Sequence, residues 1–151
     1  MKTGFKFLKH TADVKFQAFG KNLEEAFTNA AYALKKTIAD IKVKPIIRKK
    51  IEVEGKDKEN LLYNFLEEFL FLLDAESFLL ANIKEIKINK TNFLKNKFDQ
   101  KKDDKYKLEA DIIGDKASAY KFVNDVKAIT YNEMFVKKQN NKFICQVVVD
   151  V

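Results

Sequence analysis

The sequence predicts an α+β domain, two helices packed on antiparallel or mixed β-sheet, from three observations. The elements run strand, helix, strand, helix and then a succession of strands, an order expected when helices and antiparallel sheet segregate. Two segments, 23–38 and 58–80, repeat apolar residues at helical spacing, whereas the segments after residue 83 tend to alternate. The 151 residues are 46% hydrophobic with four Gly and one Pro, enough to build a core and too few breakers for an interdomain linker. No internal repeat is present, so residues 1–151 read as one domain.

Each element has a local reason. Val14 to Phe19 alternates weakly and stops at Gly20, a short strand. Asn22 and Glu25 form a capping pair in which the Asn side chain accepts from a first-turn amide and Glu25 reaches back. Leu23, Phe27, Ala30, Ala31, Leu34 and Ile38 then make one apolar stripe. Pro45 breaks the chain, and Ile47 to Glu54 ends in the alternation Ile51-Glu52-Val53-Glu54, closed by Gly55. Asp57 caps a second helix over 58–80 whose Leu61, Leu62, Phe65, Leu66, Phe69, Leu70, Leu72 and Leu73 leave little polar circumference, the mark of a central core helix. Strands follow over Ile83–Asn89, Lys105–Ile113, Asp125–Lys137 and Lys142–Val151. Tyr106, Leu108, Ala110 and Ile112 share one face of the second of these, and Phe143, Cys145, Val147 and Val149 share one face of the last. The polar stretch 90–105 reads as a long, mobile hairpin loop, solvated or a basic arm touching RNA phosphates.

Charge and composition narrow the function classes. Lys and Arg outnumber Asp and Glu 29 to 22, a formal charge of +7 that suits nucleic acid, an acidic partner or an anionic surface. Arg48 is the single arginine, which argues against sequence-specific readout, since bidentate recognition is an arginine task. The lone Cys145 makes no internal disulfide, so a reducing compartment, the cytoplasm, is expected. No apolar leader opens the sequence, and Glu67, Glu68, Asp74 and Glu76 interrupt its most apolar stretch, so a soluble protein is expected. One histidine, one buried-strand cysteine, four scattered glycines and no zinc-type spacing supply neither a nucleophilic triad nor a phosphate cradle, which points away from an enzyme.

Oxygen chemistry remains. Asp13 stands at the mouth of the first clear strand, and Asp150 is followed by Val151, which adds main-chain and carboxylate oxygens. Hard cations such as Ca²⁺ and Mg²⁺ select this donor type. Spacing alone does not bring Asp13 to Asp150, and single aspartates often only cap turns.

Taken together, the motifs carry a resemblance. His10-Thr11-Ala12-Asp13-Val14, Gly20, Leu23-Glu24-Glu25-Ala26-Phe27 and Asn29-Ala30-Ala31 resemble the opening of the archease family. Val53-Glu54-Gly55, Leu61 to Glu68 and Leu72 to Glu76 are similar to its middle. Val126-Lys127-Ala128-Ile129-Thr130-Tyr131 and Val147 to Val151 are similar to its end. The resemblance implies a protein cofactor, not an enzyme, that activates the RtcB-type RNA ligase of tRNA splicing by promoting its guanylylation and multiple turnover. The ligase would be its partner, with tRNA reached through it. The family's metal ligands fall on Asp13, Asp150 and Val151, with Ca²⁺ or another hard divalent cation as the implied cofactor. His10 and Lys127 also lie in family motifs. His10 is either a hydrogen-bond partner beside that site or a satisfied structural histidine, and Lys127 either meets the ligase or a phosphate or stays solvated.

Departures from the family pattern accompany the match. No histidine stands in the segment 116–124, Asn132 occupies a position after Thr-Tyr where relatives often have histidine, and the 90–105 stretch is long. Two rival functions keep the composition in view: a basic RNA-binding module stacking bases on aromatics, and a general folding helper.

Overall fold

The computed structural model describes residues 4–94 and 102–151. Nine elements and one 3₁₀ turn succeed one another: β1 (Phe5–Leu8), β2 (Val14–Gly20), α1 (Leu23–Ile38), β3 (Ile47–Gly55), α2 (Lys58–Glu76), β4 (Phe78–Leu94), β5 (Lys102–Lys116), the turn at Ala117–Ala119, β6 (Ala128–Gln139) and β7 (Lys142–Asp150). They form a four-stranded sheet in the order β1-β2-β7-β6 and a three-stranded sheet in the order β3-β5-β4. Every pairing is antiparallel, which resolves the expected antiparallel-or-mixed sheet in favour of the first. Each helix touches both sheets, and one cluster of buried side chains runs through all of them. The α+β class read from the sequence is the observed one.

The helix starts follow the predicted chemistry. Asn22 Oδ1 accepts from the Glu25 amide at 2.8 Å, and Asp57 Oδ1 accepts from the Asn60 amide at 2.7 Å. Glu25 does reach back, though to the amide of Lys21, one residue before the cap. Phe27 of α1 and Phe65 of α2 stack with centroids 6.0 Å apart, joining the two helices at full burial. An aromatic pair of this kind adds about 0.5–1.5 kcal/mol to the burial of its rings.

Several boundaries differ from expectation. α2 ends at Glu76, not at 80, because Ser77 takes the left-handed conformation (φ 53°, ψ 40°) and donates its amide to the Leu72 carbonyl. Phe78, Leu79 and Leu80, whose apolar character continues the helical pattern, are instead the buried start of β4. β4 and β5 extend far beyond Ile83–Asn89 and Lys105–Ile113, so Lys90–Leu94 and Lys102–Lys105 are ladder rather than loop. The remainder of the expected 90–105 loop, 95–101, lies outside the described residues. β1 has no counterpart in the sequence reading, β6 begins at Ala128 rather than Asp125, and β7 closes at Asp150. Among the described residues, no helix is long and apolar enough to cross a membrane.

Candidate functional site

The β2–β7 ladder positions the aspartates. Val14 pairs with Val149, with Asp13 immediately before the one and Asp150 forming the outer end of the other strand. Two carboxylates 137 positions apart in sequence (150 − 13) therefore stand at one end of one ladder. β6 flanks this end, with Ala128 paired to Asp150 and the Lys127 amide donating to the Asp150 carbonyl at 2.8 Å. Asp13, Asp150 and Val151 are half-buried, and the Lys127 side chain is exposed.

Residues 10–13 form the second wall. Ala12 sits at φ 67°, an uncommon conformation for a residue with a Cβ, and the bend it makes sets His10 Nδ1 3.9 Å from Asp13 Oδ2. The other ring nitrogen, Nε2, is 2.8 Å from Glu133 Oε2. Glu133 Oε1 accepts from Lys15 Nζ at 3.2 Å, and these two hydrogen bonds, that of His10 first, hold the Glu133 carboxyl below the ordinary carboxylate range. Nδ1 itself is buried with no hydrogen-bond partner.

Glu133 reaches the histidine because β6 is interrupted. Thr130 pairs with Val148 and Phe135 with Gln146, so the four residues 131–134 face Val147 alone, a wide bulge in which Glu133 takes φ 56°. Gln146, buried in the middle of β7, pins it. Its Nε2 donates to the Glu133 carbonyl at 2.8 Å while its Oε1 accepts from Gln17 Nε2 at 2.9 Å. α2 holds the outer side, where Glu59 Oε2 accepts from the Val136 amide, Asn60 Nδ2 donates to the Tyr131 hydroxyl, and the rings of Tyr63 and Tyr131 stack 4.2 Å apart. Periodicity reveals none of this. The one available signal is Gln146, a polar residue inside the apolar run Ile144–Val149.

Side-chain donors are sparse. Among the described residues, no three His, Cys, Asp or Glu side chains lie close enough to hold a metal ion together. The Asp13 carboxylate and the unpartnered His10 Nδ1 lie 3.9 Å apart, at the end of the ladder where Asp150 and Val151 also stand. A hard divalent cation held here would need main-chain oxygen and water to complete its coordination. Cys145 is fully buried, and burial pushes its thiol far up, as expected for an inert core cysteine.

Residues 5–151 match the family model described as the Archease protein family (MTH1598/TM1083). The chain belongs to that family. Protein archease of Pyrococcus abyssi (strain GE5 / Orsay) is 38% identical over 147 residues, 95% of each chain, and protein archease of Methanosarcina barkeri is 32% identical over 150 residues, 97% of this chain and 95% of the other. The archease likeness extends to three dimensions. The solution structure of Methanobacterium thermoautotrophicum protein 1598 superposes with a TM-score of 0.75 at 27% identity, covering 98% of this chain and 99% of that one. The crystal structure of an archease and possible chaperone from Thermotoga maritima, TM-score 0.62 and 17% identical over 97% and 96% of the two chains, shares the fold.

Proposed function

We propose that the chain is the non-catalytic activator of an RtcB-type RNA ligase in the cytoplasm, promoting the ligase's guanylylation and its repeated turnover. In this reading a divalent cation sits on Asp13, Asp150 and the main-chain oxygen of Val151, and Lys127 offers its ammonium beside it. The supporting observation is convergence. His10, Asp13, Lys127, Asp150 and Val151 come from both ends of the sequence and gather at one end of the four-stranded sheet.

The RNA-stacking rival needs exposed aromatics; Phe16, Phe27, Phe65, Phe69 and Phe78 are buried, while Phe7, Phe71, Phe122 and Tyr131 are exposed, and the rival predicts strong, steeply salt-sensitive binding of tRNA by the protein alone. The deciding experiment mixes the protein with its cognate RtcB-type ligase and counts RNA joins per ligase molecule. The expected result is a change from near-single to multiple turnover with faster covalent GMP loading. No acceleration of a competent ligase overturns the reading, and suppression of aggregation in unrelated clients in its place assigns the protein to the folding helpers.

A further inference from the structure

We infer that the β6–β7 hairpin, with the first turn of α2 beside it, is a sequence-independent contact for the phosphate backbone of RNA. The inference rests on the activator reading and adds an RNA contact at the end of the four-stranded sheet remote from the candidate site. The nine-residue β7 joins the two ends, so at about 3.3 Å per residue Lys142 lies roughly 26 Å from Asp150.

The hairpin is a fixed platform for positive charge. Gln139 pairs with Lys142, and Asn140 and Asn141 between them take φ of 52° and 61°, the two-residue turn whose twist matches its strands. Residues 137–142, Lys-Lys-Gln-Asn-Asn-Lys, carry three lysines and no carboxylate. Lys138 Nζ and Lys58 Nζ stand 5.9 and 5.6 Å from the centre of one ring, that of Phe143, and Lys137 Nζ stands 4.2 Å from the centre of the Phe135 ring. Lys21 and Lys142 line one open cleft of about 430 Å³ together with Asn29, Gln139 and Asn140.

These cations lack the compensation found elsewhere. Lys15, Lys49, Lys87, Lys105 and Lys107 each pair with a glutamate, whereas Lys21, Lys58, Lys137, Lys138 and Lys142 enter no ion pair among the described residues. The carboxylates at this end are committed to backbone amides: Glu25 to that of Lys21, Asp57 to that of Asn60 and Glu59 to that of Val136. Gathered like charges repel one another, and a run of phosphates relieves that repulsion. Lysine supplies point charges and the Gln and Asn amides supply donors, all suited to phosphate oxygens; with no arginine in the hairpin, base edges go unread. Four or five such contacts are too weak alone to hold a complex in a gel, but they add to a ligase's grip on the same RNA.

Fluorescence anisotropy of a short labelled oligouridylate, titrated with the protein at several salt concentrations, tests the contact directly. The expected dissociation constant is on the order of 10⁻⁴ M at low salt, with log K falling against log salt by about 0.7 for each phosphate neutralised. Lys138→Gln/Lys142→Gln should weaken binding by about fivefold or more and flatten the slope by about 1.4. Lys50→Gln/Lys84→Gln, which removes the same charge from the smaller sheet, should leave the slope unchanged. With the cognate ligase, the hairpin variant should raise the KM for RNA by about threefold or more while GMP loading, a step without RNA, keeps the wild-type rate. Equal slopes for the two double variants overturn the inference and leave the activator reading standing. So does an oligoglutamate that binds as tightly as the RNA with the same dependence on Lys138 and Lys142, which assigns the hairpin to an acidic protein. A wild-type chain that fails to stimulate a competent ligase overturns the activator reading, and the anisotropy series then decides the RNA contact by itself.

Discussion

At the scale of single residues, Gln146 has the largest structural reach for its size. It is a buried amide with one side bonded to Gln17 and the other to the Glu133 carbonyl. Gln146→Ala leaves both partners unsatisfied and should cost about 1–3 kcal/mol, seen as a lower urea midpoint at unchanged slope. An unshifted midpoint would mean that the bulge is held by α2 alone. Asp13→Ala and Asp150→Ala each remove one oxygen donor and should lower Ca²⁺ affinity and ligase stimulation while circular dichroism stays native-like. Full stimulation by both variants would make the metal incidental. His10, Asp13, Lys127, Asp150 and Val151 could be singled out from the sequence because they fall in motifs. Glu133 could not, since a four-residue bulge breaks the two-residue period on which strand reading depends.

At the scale of elements, local signals that act over three or four residues were legible, and those settled by distant packing were not. The caps at Asn22 and Asp57 are local, and both form as read. Asp57→Ala should therefore cost about 1 kcal/mol in thermal or chemical denaturation. The end of α2 is not local, because Phe78-Leu79-Leu80 satisfies either a helix or a buried strand until β5 is there to pair with it. The length of β4 was hidden for the opposite reason: its distal half is rich in Lys and Asn, and only the ladder to β5 makes it a strand.

That ladder depends on Gly114, where an added Cβ would lie 2.0 Å from the Leu79 carbonyl oxygen. Gly114→Ala should destabilise by about 1–3 kcal/mol, the range for overpacking, and equal stability would show that β4 can shift aside. Beyond β5, the Tyr120 hydroxyl donates to Asp115 Oδ2 at 2.6 Å and accepts from the Lys44 amide at 2.9 Å. The bond to Tyr120, with that from the Lys116 amide, holds the Asp115 carboxyl below its ordinary 3.8, and the same contact raises the Tyr120 phenol above its ordinary 10.0. The carboxylate's contribution is present above its unfolded value and lost as pH falls through the depressed one. The phenol's contribution is present below its unfolded value and lost as pH rises through the raised one. Tyr120→Phe should lower the melting temperature at neutral pH, with the difference from wild type shrinking in strong alkali. A difference that persists unchanged there would assign the loss to packing instead.

At the scale of the molecule, the +7 charge and the fold class were both readable from composition and element order, whereas the split into two sheets was not. Alternation marks a strand's faces but not its neighbours, and β7 lies between β2 and β6 although about 120 residues separate β2 from it. If the charge served RNA directly, the protein alone would retard tRNA in a gel strongly and with a steep loss on adding salt; weak retardation is expected. The central place of the last strand also governs biosynthesis. A ribosome adding roughly 5–20 residues per second delivers both helices and the strands of the smaller sheet before β7 exists. For a few seconds the growing chain holds β2 with one of its two neighbours missing. A polypeptide cut short before β7 lacks Asp150 of the candidate site and leaves the edge of β2 unpaired, a natural client for proteolysis.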